Sequence, residues 1–204
     1  MQTNMKKAIL FITVLVFMFF VSGAAFSQST QQRIDAINSN GGFMVWKAES
    51  AKKSKVDWGV VDALVPVPAE KVIELLRDYN GYKRFLKFFT MTKVQETLED
   101  HSVLRLKATI AGGTVKLKAT ARIWEDQLED GTTHFKLRYR RGNVNRLDGD
   151  WFVTPLEGGK CLVKMRLLVD PDLWLVSNSQ LSEYNLVNSR RTLRSIKKML
   201  APGK

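Results

Sequence analysis

The chain has few residues of the types that most often carry chemistry. Its 204 residues include a single cysteine, Cys161, and two histidines, His101 and His134. Neither histidine lies in a spacing typical of metal ligands, and one thiol cannot form an internal disulfide or a CxxC pair. No GxSxG nucleophile motif, phosphate-binding loop or dinucleotide fingerprint is present. The sequence therefore predicts no catalytic residue, no metal site and no cofactor.

Acidic residues are also scarce relative to basic ones. The chain has 32 Lys and Arg residues against 20 Asp and Glu, which gives a net charge of +12. An excess of this size indicates anionic partners and affects solubility, but it does not indicate a fold. Within the mature chain defined below the net charge is +10, because the two lysines of the first 27 residues are lost.

The one long apolar run is at the N-terminus. It follows Lys6 and Lys7, and Ala25-Phe26-Ser27 comes after it. A charged start, an apolar stretch and small residues are typical of a secretory signal peptide. We expect cleavage before Gln28, so that residues 1–27 are a signal peptide and residues 28–204 form one exported, periplasmic domain. The alternative is an uncleaved inner-membrane anchor, since Ala8–Phe26 approaches the ~20 residues that span a bilayer.

Helices and strands are predicted from periodicity and from turn residues. Alternating apolar and polar residues separated by Gly112-Gly113, Asp130-Gly131 and Gly158-Gly159 predict hairpins and an antiparallel meander. The predicted strands are Phe43–Lys47, Val56–Val65, Thr90–Thr97, Val103–Ile110, Thr114–Trp124, His134–Arg140, Trp151–Leu156 and Cys161–Val169. The predicted helices are Gln31–Asn38, one from Ala69 to Asn80-Gly81, the aromatic-rich Tyr82–Phe89, and one from Ser177 to about Leu200.

Two segments resemble the START-like superfamily, also described as polyketide cyclase/coenzyme Q-binding (SRPBCC) proteins. The first is the strand–Pro–helix–aromatic passage Val56–Phe89, and the second is the hairpin Gly149–Pro171, with G-x-W at its start and V-D-P at its end. The resemblance implies an α+β helix-grip fold. In that fold a curved antiparallel β-sheet wraps around a long C-terminal helix, with two short helices after the first strand. It also implies a ligand cavity between helix and sheet.

The apolar face of the predicted sheet and the last helix would enclose that cavity. Small residues leave room there, larger ones supply walls, and the amide of Asn185 must find a ligand or backbone partner or cost about 1–3 kcal/mol. The alternative is that these are simply core residues. The predicted ligand-binding residues are Leu106, Ala108, Leu117, Ala119, Ala121, Phe135, Leu137, Tyr139, Met165, Asn185, Leu186 and Ser189.

The opposite face of the predicted strands is basic, with no acid on the strands considered. Like charges opposite each other across strands are unfavourable unless an anionic partner offsets them. There are three alternatives for this face: it is a solvated surface, it binds an anionic membrane surface, or it binds nucleic acid. The export signal makes nucleic acid the less favoured of these. The predicted anionic-surface residues are Arg105, Lys107, Lys116, Lys118, Arg122, Lys136, Arg138, Arg140, Lys164 and Arg166. The segment Tyr82–Phe89 also places cations beside aromatic residues, a combination that suits a bilayer interface. The alternative is that these aromatic residues pack inward.

These observations predict a monomeric, non-enzymatic protein that binds a hydrophobic small molecule or lipid and acts as a carrier or sensor. The alternative from another class is a polyketide cyclase/aromatase-like enzyme. That enzyme would need a polar cavity, and the apolar face offers little beyond Tyr139. A third alternative, a ribosome- or quinone-associated intracellular protein, requires that residues 1–27 are not an export signal.

Overall fold

A computed structural model describes residues 29–50, 54–110, 113–171, 173 and 176–201. The predicted signal peptide and its cleavage site lie outside these residues. Contacts divide the chain into two units, Met1–Asp35 and Ala36–Lys204. Of the first unit, only residues 29–35 are described, and they include the first residues of helix α1 (Thr30–Ser39).

The second unit contains one sheet, a long C-terminal helix, a short helix and a 3-10 helix. All neighbouring strands are antiparallel, and the order across the sheet is β1-β2-β8-β7-β6-β5-β4-β3. This is the predicted α+β helix-grip fold. The elements are β1 (Phe43–Ala48), β2 (Trp58–Val65), α2 (Ala69–Arg77), a 3-10 helix (Tyr79–Arg84), β3 (Phe89–Thr97), β4 (Ser102–Ile110), β5 (Val115–Gln127), β6 (Thr133–Gly142), β7 (Arg146–Leu156), β8 (Lys160–Asp170) and α3 (Asn178–Leu200).

The short helices differ in detail from the prediction. They follow the second strand, because β1 precedes them as well as β2. Helix α2 ends at Arg77, and Asn80-Gly81 lies inside the 3-10 helix rather than in a left-handed cap. The carboxylate of Asp78 accepts a hydrogen bond from the backbone N–H of Gly81 at 3.0 Å, which stops α2 and starts the tighter turn. Beyond Arg84, the aromatic-rich segment consists of turns that lead into β3.

Strand β7 begins five residues before the predicted start at Trp151. The added segment, Arg146–Asp150, contains two aspartates and a glycine, which are depleted in strands. It pairs with β8 throughout, from Arg146 opposite Asp170 to Asp150 opposite Arg166. Pairing with β8 along the whole segment therefore overrides the weak local preference, and two acidic residues enter the sheet.

Helix α3 is fastened at its start and packed closely at its middle. Ser177 is its N-cap and forms a capping box with Gln180. The helix packs against β1, β2 and β8. A Cβ atom at Gly59 would lie 2.3–2.4 Å from backbone atoms of Asn185 and Leu186. Glycine at this position of β2 is what lets the helix backbone approach the sheet.

Candidate functional site: a cavity with a basic rim

A cavity with a volume of ≈ 490 Å³ lies between α3, the end of β4 and the segment that follows the 3-10 helix. Its walls combine aromatic and aliphatic side chains with neutral polar ones, and cations stand at its rim. The lining residues are Phe85, Lys87, Phe88, Thr109, Ile110, Gly113, Tyr184, Asn188, Arg191, Thr192, Arg194, Ser195 and Lys198.

One stripe of α3 supplies the polar wall. Tyr184, Asn188, Thr192 and Ser195 recur every three or four residues and so share a helix face. Asn188 Nδ2 donates to the carbonyl of Tyr184 at 2.8 Å, and Thr192 Oγ1 donates to the carbonyl of Asn188 at 2.7 Å. The side chains of Asn188 and Thr192 thus have hydrogen-bond partners within the helix backbone. This polar stripe can therefore be buried without hydrogen bonds to other elements.

The apolar wall is rigidly held. Phe85, Phe88 and Ile110 are all buried. The ring of Phe85 packs edge-on against Trp151, with 6.1 Å between centroids, and Phe88 packs on Phe89 at 4.5 Å. Aromatic pairs of this geometry fix ring orientation in addition to burying area. The wall is therefore preformed.

Positive charge surrounds the cavity. Lys87, Arg191, Arg194 and Lys198 line it, and no Asp or Glu of the described part of the chain does. Among the described residues, none of these four cations forms an ion pair. Burial raises the pKa of the Tyr184 phenol to about 12, although Arg191 acts in the opposite direction. Tyr184 is therefore neutral at physiological pH, and the cavity has a neutral interior below a cationic rim.

The twelve predicted ligand-binding residues lie elsewhere. None of them lines the ≈ 490 Å³ cavity. They are Leu106, Ala108, Leu117, Ala119, Ala121, Phe135, Leu137 and Met165, which are buried in the core, Tyr139 and Leu186, which are partly buried, and the buried polar residues Asn185 and Ser189.

The sequence left a ligand or the backbone as the partner of the Asn185 amide, and in the structure the amide bonds to the backbone. Oδ1 accepts from the N–H of Val169 at 3.1 Å, and Nδ2 donates to the carbonyl of Asp57 at 3.1 Å. The hydroxyl of Ser189 lies 3.0 Å from the carbonyl oxygen of Gly59. Both side chains join α3 to the sheet, and the helix face that carries them is occupied by this docking.

Sequence reasoning missed the polar cavity stripe because it followed apolar residues along α3. Of those apolar residues, Leu193 and Ile196 are fully buried and Leu186 is only partly buried. The buried part of the helix also includes the polar residues Asn188 and Thr192. The available signal was the regular spacing of Tyr184, Asn188, Thr192 and Ser195. Helical spacing by polar residues also suits a solvated face, so only tertiary packing distinguishes the two.

The basic face contains acids after all, and this corrects the sequence prediction. Asp150, in the unpredicted part of β7, is 1% exposed and lies 2.8 Å from Arg138, 3.0 Å from His134 and 3.9 Å from Arg166. Burial acts to raise the pKa of Asp150, but the hydrogen bond to His134 and the charge of Arg138 outweigh it, so the pKa is lowered. This carboxylate compensates the basic residues around it.

The ten predicted anionic-surface residues therefore fall into two groups. In the first, the guanidinium groups of Arg138 and Arg166 stack over Trp58, Lys136 lies over Trp124, and Lys164 lies over Trp46. In the second group no ion pair to a described carboxylate is found. Its members are Arg105, Lys107, Lys116, Lys118, Arg122 and Arg140.

Two members of the second group border a shallow depression of ≈ 260 Å³ on β4, β5 and β6. Arg105, Lys118 and Arg141 line it. A register shift in the pairing of β5 with β6 leaves Arg140 as the extra residue of a bulge, which turns Arg141 toward the same face. Positive charge is thus concentrated on this half of the sheet.

The aromatic residues of Tyr82–Phe89 pack inward, which contradicts the bilayer-interface alternative for their rings. Tyr82, Phe85, Phe88 and Phe89 are all buried, and the Tyr82 hydroxyl donates to the carbonyl of Leu76 at 2.8 Å. The described residues contain no group of three or more His, Cys, Asp or Glu side chains that could hold a metal ion. Among the described helices, none has the length and apolar character needed to cross a bilayer.

Comparison with solved structures shows the same fold. A STAR-related lipid transfer protein from Xanthomonas axonopodis is 13% identical, with a TM-score of 0.67 over 79% of this chain and 94% of that one. Human StAR-related lipid transfer protein 5 is 12% identical, with a TM-score of 0.65 over 96% and 98% of the two chains. The Zhui aromatase/cyclase from a Streptomyces species is 18% identical, with a TM-score of 0.55 over 70% and 92%.

Curated relatives carry a different functional name. The ribosome association toxin RatA of Pseudomonas aeruginosa is 28% identical over 108 residues, which are 53% of this chain and 71% of the toxin. RatA of Vibrio cholerae is 30% identical over 105 residues, which are 52% and 69% of the two chains. Residues 65–178 match the family described as polyketide cyclase/dehydrase and lipid transport. The chain therefore belongs to the polyketide cyclase/dehydrase and lipid transport family, within the START-like superfamily.

Proposed function

We propose that this protein binds one hydrophobic ligand, a lipid, in the cavity between α3 and the sheet, and acts as a carrier or sensor without chemistry. The ≈ 490 Å³ cavity carries this proposal. Its volume lies within the roughly 300–1,000 Å³ of small-molecule sites. Phe85, Phe88 and Ile110 supply apolar surface for an alkyl chain. The lipid transfer proteins with the same fold support this assignment.

The cavity contains little that could act as an acid or base. Tyr184 is its one phenol, and burial raises the pKa of that phenol to about 12, whereas general acid–base groups work best near the operating pH. Asn188 and Thr192 already bond to the helix backbone. A polyketide cyclase/aromatase-like enzyme is the alternative. It would be favoured if the purified protein cyclised a polyketide analogue and lost that activity on Tyr184→Phe.

Filling the cavity should block ligand uptake. Ser195→Trp places a large ring at the lining, so the affinity for a fluorescent fatty acid should fall about 10-fold or more. Ser179→Trp is the matched control, since it introduces the same residue at an exposed position of α3. Titration of both variants and the wild type measures the effect. Equal uptake by all three would contradict binding at this cavity.

The core alanines are not suitable for this experiment. Ala119 and Ala121 are 5% and 0% exposed and belong to the packed core. Replacing either with a larger side chain would overpack the core, which typically costs about 1–3 kcal/mol of stability. A loss of uptake in such variants would report unfolding as readily as blocked binding.

We further propose that the second group of basic residues, which has no ion pair to a described carboxylate, draws the protein to anionic bilayers. Each Lys or Arg near such a surface contributes about 1 kcal/mol, and salt screens the attraction. Co-sedimentation should be strong with anionic vesicles, weak with zwitterionic ones and lost in 1 M salt. Lys116→Glu with Lys118→Glu should abolish it, whereas Lys71→Glu with Lys160→Glu, which changes the charge equally, should not. Equal sedimentation of the two double variants would identify the face as a solvated surface.

A ribosome-associated function is the second candidate. The similarity to ribosome association toxins favours it, and ribosomal RNA would use the same unpaired cations as a bilayer would.

We propose export, because Lys6, Lys7 and the apolar run fit a signal peptide cleaved before Gln28. The mass of the protein from its native host tests this. An intact N-terminus together with salt-sensitive binding to purified ribosomes would favour the second candidate.

A further inference from the structure

We propose that the cavity selects an amphiphile with an anionic head group, a carboxylate or a phosphate, held at the rim by Arg191 and Lys198. This inference rests on the proposed function and names the class of its ligand. Arg191 and Lys198 both line the cavity and are both exposed. Guanidinium and ammonium groups bind carboxylate and phosphate through charge-assisted hydrogen bonds.

The arrangement of the cavity matches a molecule with one charged end. Phe85, Phe88 and Ile110 form the buried apolar wall, and the cations stand at the solvent side. With no Asp or Glu in the lining, an anion entering here meets no repulsive carboxylate. A neutral ligand would leave the rim cations uncompensated in the bound state, so charge at the head group should increase affinity.

The neighbouring cations of α3 provide an internal comparison. Arg190 and Lys197 do not line the cavity, and they lie over the ring of Phe43 at 5.9 Å and 4.8 Å from its centroid. Arg191 and Lys198 are each one residue further along, which rotates them by about 100° around the helix axis. Two pairs with the same charge and nearly the same position along the helix therefore face different surroundings.

The test compares two probes that differ in one charge. The full chain is titrated with 11-(dansylamino)undecanoic acid and with its methyl ester. We expect the acid to bind about 10-fold more tightly than the ester. The cavity pair Arg191→Gln with Lys198→Gln should remove this difference by weakening the acid alone. The control pair Arg190→Gln with Lys197→Gln should leave both affinities unchanged. Decyl phosphate should displace the acid, and inorganic phosphate at the same concentration should not.

Each outcome decides the proposal. Equal affinity of acid and ester, or equal weakening of the acid by both pairs, would overturn the rim assignment while leaving the lipid-binding function in place. Binding of neither probe to the wild type would overturn the lipid-binding function as well. Displacement by inorganic phosphate as effectively as by decyl phosphate would show a surface anion site and overturn selection of an amphiphile.

Discussion

Gly59→Ala should destabilise the fold by about 3 kcal/mol or more, at the upper end of overpacking effects. The new Cβ would lie 2.3 Å from the backbone carbon of Asn185 and 2.3 Å from the backbone nitrogen of Leu186. Backbone atoms in mid-helix cannot move aside as a flexible side chain can, so α3 must lift from β2. The contacts of Asn185 with Val169 and of Ser189 with Gly59 would be lost with it. Urea unfolding measures the change.

Gly149→Ala is the control for this prediction. Gly149 also lies within a strand of the same sheet, but a Cβ there meets its nearest neighbour, the carbonyl oxygen of Arg166, at 3.7 Å, which is ordinary contact. Its expected effect is well under 1 kcal/mol, within the range of harmless substitutions. If both alanine variants lose the same stability, the cause is a general loss of strand flexibility rather than helix docking.

Asp150→Asn should destabilise the protein by about 3 kcal/mol at neutral pH. The amide keeps the shape of the carboxylate but removes the charge that compensates Arg138 and Arg166, and breaking one side of a buried ion pair is costly. Asp126→Asn, at an exposed position of β5, is the control and should not shift the unfolding midpoint. Thermal and urea unfolding of both variants measure the difference.

The pH dependence of Asp150→Asn provides a second check with a definite sign. The pKa of Asp150 in the folded protein lies below its ordinary value of 3.8. The stabilisation by the carboxylate is therefore fully present above pH 3.8 and is lost as the pH falls through the lower folded-state value. The difference between wild type and variant should stay constant from pH 7 to about pH 4 and shrink below that. A difference that did not shrink as the pH fell below 3.8 would show that packing, not charge, is responsible.

Much of the fold could be predicted because its signals are local. The alternating residues of β4, β5 and β8, the glycine turns and the Ser177 cap define strand, turn and helix within a few residues. The assignment failed where local preference is weak, as in Arg146–Asp150, whose strand exists only because β8 pairs with it along its whole length. Missing that segment also concealed Asp150 and made Arg138 and Arg166 look uncompensated.

The sequence by itself determined the class of the protein: an antiparallel sheet with one apolar and one charged face, closed by a long C-terminal helix. Only the tertiary structure decided where the cavity is and which cations are free. Both depend on how α3 lies on the sheet, and that position is set by Gly59 and by backbone hydrogen bonds of Asn185. The contacts of α3 with Asp57 and Gly59 join residues more than a hundred positions apart, and periodicity within one element contains no information about them. The same docking buries Asn185 and Ser189 against β2 and leaves Tyr184, Asn188 and Thr192 to line the open side.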